Sequence, residues 1–210
     1  MRTIRIIFLL IVASTAAVSA VAEATGLKSY VEELIQEGHN IFHDKSLSES
    51  ERKKKTNDII RSHLYLEWMA KYSLGRFRRE IPKAKIDEFT KVYSDFVVKA
   101  YSDLATNYNG EKAILTNIKQ LDDDLFIVNT EILKPGNQSP IKVDYLVHKV
   151  EGKVKDPYLV GDIITEGISL LNSQQGEFNS VLSTRGIDSL ISDLKKRINN
   201  QTASNITKPN

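Results

Sequence analysis

Histidines and carboxylates are the side chains of this 210-residue sequence that could carry out chemistry. His39 and His43 lie four residues apart, so on a helix they would share one face, with Asp44 beside them. Two imidazoles at this spacing are a weak zinc signal, because the sequence offers neither the glutamate of a zinc-protease motif nor a clear third ligand. We therefore expect exposed helix histidines, and neither a metal nor another cofactor.

Asp162 and Glu166 form a second candidate site, near the end of a predicted strand. Two carboxylates on a cone-shaped α+β scaffold could act as general acid and general base. The competing interpretation is a strand-to-helix junction, with Glu166 near the positive end of the helix dipole. We favour the junction, and we take Ser169 as a helix-start residue because it lacks the second glycine of a nucleophile elbow. An enzyme that uses Asp162 and Glu166 is the alternative function.

The N-terminus has the pattern of a cleavable signal peptide. Arg2 and Arg5 precede an apolar run over residues 6–12, and small residues then provide cleavage patterns that end at Ala20 and Ala22. The apolar run is shorter than the roughly 20 residues that span a bilayer. We predict a signal peptide over residues 1–22 and export to a Gram-negative periplasm. The sequence has no cysteine, which excludes a disulfide scaffold and thiol catalysis.

The signal peptide also explains the charge of the chain. Without Arg2 and Arg5, the 29 basic residues become 27, which equals the 27 acidic residues. A formally neutral mature chain lacks the basic excess that is typical of nucleic-acid binding. We therefore expect no nucleic-acid partner.

The remaining sequence predicts helices, then strands, then helices. Apolar stripes indicate helices over 27–42, from Ser48 onward and over 83–108, and Ser48 with Glu51 forms a predicted capping box. Four strands are predicted over 113–118, 125–133, 141–150 and 154–164, separated by short turns. Helices over 167–182 and 187–198 follow. We predict one domain over residues 23–198 and a polar, disordered tail over 199–210.

Short connections between consecutive strands predict an antiparallel meander. The fold class is therefore α+β, with helices packed on one face of a twisted four-stranded antiparallel sheet. The apolar stripes of the helices and strands suit either a packed core or the wall of a pocket. Periodicity alone leaves these two interpretations open.

One stretch of the sequence has a specific resemblance. Residues 162–170 read Asp-Ile-Ile-Thr-Glu-Gly-Ile-Ser-Leu, and the stretches 177–178 (Glu-Phe) and 186–190 (Gly-Ile-Asp-Ser-Leu) follow. This order resembles the C-terminal half of the MlaC, or toluene-tolerance, family. The stretch 74–76 (Leu-Gly-Arg), followed by a helix with Phe89, Phe96 and Tyr101, is similar to the same family. The resemblance covers about residues 31–198. The sequence departs from it at Tyr158, where many relatives have tryptophan.

The resemblance implies a periplasmic phospholipid carrier that is not an enzyme and that maintains the lipid asymmetry of the outer membrane. It implies two partners, an outer-membrane lipoprotein–porin complex and an inner-membrane ABC transporter with an MCE-domain subunit. It also implies an apolar pocket, enclosed by helices and sheet, that holds phospholipid as cargo. The side chains expected to line it are Trp68, Tyr72, Leu74, Phe89, Val92, Phe96, Val97, Tyr101, Phe126, Val128, Tyr145, Val147, Ile164, Ile168 and Leu171.

Overall fold

The computed structural model describes residues 12–105, 110–136, 138–152 and 157–206. The described helices are α1 (Val12–His43), α2 (Glu49–His63), α3 (Leu66–Ser73), a 3₁₀-helix (Gly75–Arg79), α4 (Lys83–Ala105) and α5 (Leu170–Ile206). Gly186 interrupts α5 with a non-helical backbone (φ 76°, ψ 179°). The interruption falls between the two C-terminal helices that the sequence predicts.

Local sequence signals set the start of α2. The backbone N–H of Glu51 donates to Ser48 Oγ at 3.2 Å, and the N–H of Ser48 donates to Glu51 Oε2 at 2.9 Å. These reciprocal bonds are the predicted capping box. The end of α2 is set by a distant strand, since the N–H of Tyr65 donates to the carbonyl of Val160 at 2.8 Å. This contact separates α2 from α3 within one continuous apolar stretch.

The sheet is an antiparallel meander in the order β1-β2-β3-β4-β5. The strands are β1 (Lys112–Asp122), β2 (Leu125–Leu133), β3 (Ile141–Lys149), β4 (Tyr158–Thr165) and β5 (Ile168–Ser169). Phe126 pairs with Val147 and Val128 with Tyr145, so β2 and β3 share an apolar face. The predicted α+β meander is confirmed, with five strands in place of four.

The additional strand is a two-residue hairpin arm. Thr165 of β4 pairs with Ile168 of β5 across a turn whose central residues, Glu166 and Gly167, both have positive φ (50° and 80°). Two left-handed residues match the twist of a tight hairpin, and glycine takes this conformation without strain. A two-residue strand is too short to produce an alternating pattern, so the sequence contains no signal for it.

Buried side chains form two clusters. In the first, Phe89 and Tyr93 of α4 meet the ring of Phe178 of α5 edge-on, at centroid distances of 6.1 and 6.2 Å. In the second, α1 packs on the sheet; its buried members are Leu27, Tyr30, Val31, Phe126, Val128, Val147, Tyr158 and Val160. The helical core and the α1–sheet layer are therefore separate apolar regions of one fold.

The terminal predictions fall at the limits of the described residues. Residues 1–11 lie outside them, and the chain is helical from Val12 onward. Among the described residues, no helix combines the length and apolarity that a membrane crossing requires. At the other end α5 reaches Ile206, and residues 207–210 lie outside the described part. The signal peptide, the domain limits and the disordered tail stay predictions.

Candidate functional site

A cavity of about 570 Å³ lies between α1 and the sheet, and we call it the α1 cavity. Its volume is within the range of small-molecule pockets, roughly 300–1,000 Å³. Helix α1 and strands β1 to β4 all contribute to its wall. The lining residues are Tyr30, Val31, Leu34, Ile35, Gln36, Gly38, His39, Phe42, Glu111, Lys112, Ala113, Val128, Thr130, Ile132, Tyr145, Val147 and Val160.

The α1 cavity has a buried end and an exposed end, which we call its mouth. Val128, Val147 and Val160 are at most 6% exposed and line the buried end together with the buried Tyr30. Gln36, His39 and Phe42, farther along α1, form the mouth together with the start of β1. The path from Tyr30 to Phe42 is about 18 Å at the helical rise of about 1.5 Å per residue. The cavity therefore extends along this length of α1.

Polar groups inside the α1 cavity are neutral and hydrogen-bonded. The hydroxyl of Thr130 donates to the carbonyl of Val143 at 2.8 Å, and the hydroxyl of Tyr30 lies 2.7 Å from His63 Nδ1. Burial raises the pKa of the Tyr145 phenol, which therefore stays protonated at neutral pH. Satisfied neutral groups do not demand a polar ligand, so the interior suits an apolar one.

Charged groups of the α1 cavity lie at its mouth. Glu111 and Lys112, at the start of β1, line it together with the exposed His39. Neither the Lys112 ammonium nor the His39 ring nitrogens have an ion-pair or hydrogen-bond partner within the described part of the chain. The His39 ring stacks on His43 at 3.9 Å. The cavity thus joins an apolar interior to a charged, exposed entrance.

The structure brings three of the predicted pocket residues, Val128, Tyr145 and Val147, to the α1 cavity. Most of the others belong to the helical core; the buried ones are Leu74, Phe89, Val92, Val97 and Leu171, and Trp68, Phe96 and Tyr101 pack against them. Phe126 is buried in the α1–sheet layer. Ile164 is half-buried, Tyr72 is 39% exposed, and Ile168 is 63% exposed. The predicted site residues therefore divide between the cavity, the packed interior and the surface.

Sequence reasoning missed the contribution of α1 to the cavity. The lining residues Val31, Leu34, Ile35 and Phe42 belong to the apolar stripe that predicts this helix. That stripe was the available signal, since an amphipathic helix must cover an apolar surface. The stripe does not indicate how deep the cavity beneath α1 is, because that depth depends on the strand residues opposite the helix.

A second cavity, of about 890 Å³, lies at the other end of the strands. Trp68 and His148 form its base, with ring centroids 4.5 Å apart. Burial lowers the pKa of His148, and its Nε2 has no hydrogen-bond partner among the described residues. Asp123 and Asp124 line the rim. Gln120, Lys149 and Glu151 also line this cavity, so its wall is largely polar and less suited to an apolar ligand than that of the α1 cavity.

The two carboxylates of the possible acid–base pair have structural roles. The Asp162 carboxylate is 7% exposed and accepts hydrogen bonds from the N–H of Ile163, the N–H of Leu171 and the hydroxyl of Ser169, at 2.8, 3.0 and 2.5 Å. Ser169 Oγ in turn accepts from the N–H of Asn172 at 2.9 Å, which makes it the predicted helix-start residue. Glu166 is exposed and accepts from the N–H of Lys142 at 2.7 Å. Asp162 therefore organises the β4–α5 junction, and Glu166 connects the β4–β5 turn to β3.

The histidine pair shows no metal geometry. The ring of His43 has its Nδ1 3.0 Å from the carbonyl of His39, and the two rings stack. Among the residues that the structure describes, no group of three histidine, cysteine, aspartate or glutamate side chains is placed to hold a metal ion.

Comparison with known proteins gives three matches. The profile of a family described as MlaC protein matches residues 30–196. An intermembrane phospholipid transport system binding protein MlaC from Haemophilus influenzae is 24% identical over 169 residues, which cover 77% of this chain and 78% of the relative. A phospholipid-binding protein from Ralstonia solanacearum, solved in complex with a phospholipid, has the same fold. Its TM-score is 0.66 at 18% identity, over 84% of this chain and 96% of the other.

Proposed function

This chain belongs to the MlaC family, and on that premise we propose that it is a periplasmic phospholipid carrier that holds the acyl part of its cargo in the α1 cavity. One observation carries the proposal: the cavity interior is apolar and uncharged, whereas the charged side chains lie at its mouth. This distribution matches the distribution of polarity along a phospholipid. The names of the two matched proteins, a phospholipid transport binding protein and a phospholipid-binding protein, support the choice of ligand.

The energetics of lipid transfer explain why such a cavity is needed. A diacyl lipid exposes on the order of 30 methylenes, and leaving them in water costs roughly 24 kcal/mol at about 0.8 kcal/mol each. A carrier must therefore cover the chains throughout the aqueous compartment. The α1 cavity is about 18 Å long by the helical rise, and one leaflet of a bilayer is about 15 Å thick. One acyl chain in the conformation it has in a bilayer fits this length.

Transfer by this carrier is passive. The cavity supplies apolar contacts, and release requires a partner that competes for the acyl chains. We propose an outer-membrane lipoprotein–porin complex and an inner-membrane ABC transporter with an MCE-domain subunit as these partners. The family membership supports both, as does a relative named for an intermembrane transport system. In this proposal residues 1–22 are a signal peptide, residues 23–198 form the lipid-binding domain and residues 199–210 form a tail.

The proposed lipid-binding residues are the walls of the α1 cavity. Val128, Tyr145 and Val147 keep the role predicted from sequence, and the stripe of α1 joins them. The residues of the helical core stabilise the fold and do not line this cavity. The acid–base alternative receives no support, because Asp162 binds backbone amides at the β4–α5 junction and Glu166 binds the backbone amide of Lys142 in β3.

The test is lipid analysis of the purified protein. The chain, purified without detergent, is extracted with organic solvent, and the extract is analysed by mass spectrometry and for lipid phosphate. We expect phospholipid in near-stoichiometric amounts. Protein that carries no phospholipid and takes none up from liposomes would contradict the proposal.

A further inference from the structure

The second cavity, of about 890 Å³, brings aromatic rings and carboxylates together, and we infer that it binds a guanidinium group. Tyr65 and Trp68 provide ring faces for the group, and the Asp124 carboxylate at the rim provides an acceptor. This cavity shares no lining residue with the α1 cavity among the described residues, so the inference is independent of the proposed function. It adds a second ligand site to the chain.

Three aromatic rings form a corner at the base of this cavity. Between centroids, the Trp68 ring lies 4.5 Å from His148 and 6.2 Å from Tyr65, and Tyr65 lies 5.7 Å from His148. The His148 ring is inclined by 52° to Trp68 and by 71° to Tyr65, so the three rings do not form a flat stack. A cation is attracted to an aromatic face when it lies within about 6 Å of the ring centroid. Because the centroids are so close together, one cation can meet this condition at more than one ring.

Gly161 of β4 lies beneath this corner. A Cβ atom added to Gly161 would lie 2.7 Å from the His148 ring and 3.1 Å from Trp68 Cζ3, so the missing side chain lets both rings pack on the strand. Burial lowers the pKa of His148, and its imidazole is therefore neutral at neutral pH. The corner has a fixed base and carries no positive charge that would repel a cation.

Carboxylates line the same cavity. The N–H of Lys149 donates to the carbonyl of Asp124 at 2.7 Å, which places Asp124 beside His148, and the Asp124 charge acts on the imidazole. Together with Asp123 and Glu151, the lining residues carry three carboxylates and one ammonium. None of the three carboxylates has a salt-bridge partner in the part of the chain that the structure describes. The excess of negative charge attracts cations to the cavity.

Guanidinium is the cation that fits this combination best. Its planar face stacks on aromatic rings and its N–H groups bind a carboxylate in pairs, whereas an ammonium is a compact, strongly hydrated charge. The cavity provides both surfaces, with Trp68 at the base and Asp124 at the rim. An arginine side chain of a peptide and a free small-molecule guanidine share this group, and the experiment compares the two sources.

A fluorescence titration of the purified protein tests the inference. Trp68 is the sole tryptophan of the sequence, so its fluorescence reports on this cavity. The ligands are N-acetyl-arginine amide, propylguanidinium, and N-acetyl-citrulline amide, which has the shape of the arginine derivative without its charge. Sodium chloride keeps the ionic strength constant throughout the titration.

Two variants and two matched controls accompany the wild type. The variants are Asp124→Asn and Tyr65→Leu. The controls are Asp58→Asn and Tyr72→Leu. Asp58 is exposed on α2 and has no ion pair in the described part, and the Tyr72 ring stacks on Trp68 at 5.0 Å without lining the cavity. Circular dichroism verifies the fold of each variant.

Both guanidinium ligands should change the Trp68 fluorescence saturably, whereas the citrulline derivative should not. We expect Asp124→Asn to weaken binding about threefold, the effect of an exposed ion pair. Tyr65→Leu should weaken it by a similar factor, about threefold for one ring face at an exposed site. Both controls should keep the wild-type affinity. Tighter binding of the arginine derivative would identify a peptide as the source of the group, and equal affinities would identify a small guanidine.

Three outcomes would overturn the inference. The first is the absence of a saturable change with either guanidinium ligand, and the second is an equal response to the citrulline derivative, which would show that charge plays no part. The third is an equal loss of affinity in the variants and their controls. If Tyr65→Leu fails to fold, Asp124→Asn still decides, because Asp124 is exposed in the turn between β1 and β2. Lipid uptake is measured separately, so none of these outcomes affects the carrier proposal.

Discussion

Gly38 allows the α1 cavity to be blocked without disturbing the fold. It lies in α1 and lines the cavity, and a Cβ atom added to it would meet no heavy atom within 4 Å. In Gly38→Phe the benzyl group would stand in open space at the mouth. Glycine is about 0.5 kcal/mol less favourable than phenylalanine inside a helix. We therefore expect the variant to fold with at least the stability of the wild type.

The size of the effect follows from the displaced acyl chain. A benzyl group occupies the space of about four methylenes, and at about 0.8 kcal/mol each their loss weakens lipid binding by about 3 kcal/mol. This corresponds to about a hundredfold lower affinity. The measurement is lipid phosphate per protein after purification, combined with uptake of dioleoyl phospholipid from liposomes. Thermal unfolding is recorded for the same samples.

Gly176→Phe is the matched control. Gly176 also lies in a helix, α5, has no heavy atom within 4 Å of an added Cβ, and is exposed away from the α1 cavity. We expect it to carry lipid as the wild type does. Wild-type lipid content in Gly38→Phe, with an unchanged melting temperature, would refute the placement of the cargo in the α1 cavity. Equal loss of lipid in both variants would refute it too.

The remaining predictions concern the fold around the site. Asp162→Ala leaves two backbone amides and one hydroxyl near the start of α5 without their acceptor. Denaturant unfolding should show a free energy of unfolding that is lower by about 1–3 kcal/mol. Wild-type stability would contradict this structural role. Gly161→Ala places a Cβ atom 2.7 Å from the ring of His148, so we expect overpacking to cost about 1–3 kcal/mol, and an unchanged unfolding midpoint would argue against that packing. Burial lowers the pKa of His148 below its ordinary 6.5. As the pH drops below about 6.5, the unfolded chain therefore takes up a proton before the folded chain does, and the free energy of unfolding falls. Melting temperatures across pH 5–8 should show this decrease, and His148→Gln should reduce it. Ser48→Ala removes the capping box of α2 and should cost about 1 kcal/mol in denaturant unfolding, an effect that vanishes if the cap does not form in solution.

Features that depend on neighbouring residues were predictable from the sequence. The capping box of α2 and the interruption near Gly186 each follow from short patterns that the structure reproduces. The order of helices and strands is also local information, because each element carries its own period of apolar residues. The fold class therefore follows from the sequence alone.

Features that depend on distant contacts were not predictable. The division between α2 and α3 results from the N–H of Tyr65, which binds the carbonyl of Val160 in β4. The residues on both sides of this division are apolar, and no turn residue marks it in the sequence. The short strand β5 likewise exists because the turn at Glu166 and Gly167 folds it back on β4. Tertiary structure decides both features.

The candidate site was only partly predictable because core and cavity use the same apolar residue types. In the helical core, the large rings of Phe89, Tyr93 and Phe178 fill the space between facing helices. Opposite α1, the strands present Val128, Tyr145 and Val147, and a cavity remains between these side chains and the helix. Periodicity identifies an apolar face, whereas the volume of the facing side chains determines whether that face packs tightly or encloses a cavity. The stripe on α4 is therefore core and the stripe on α1 is cavity wall, although each predicts an amphipathic helix equally well.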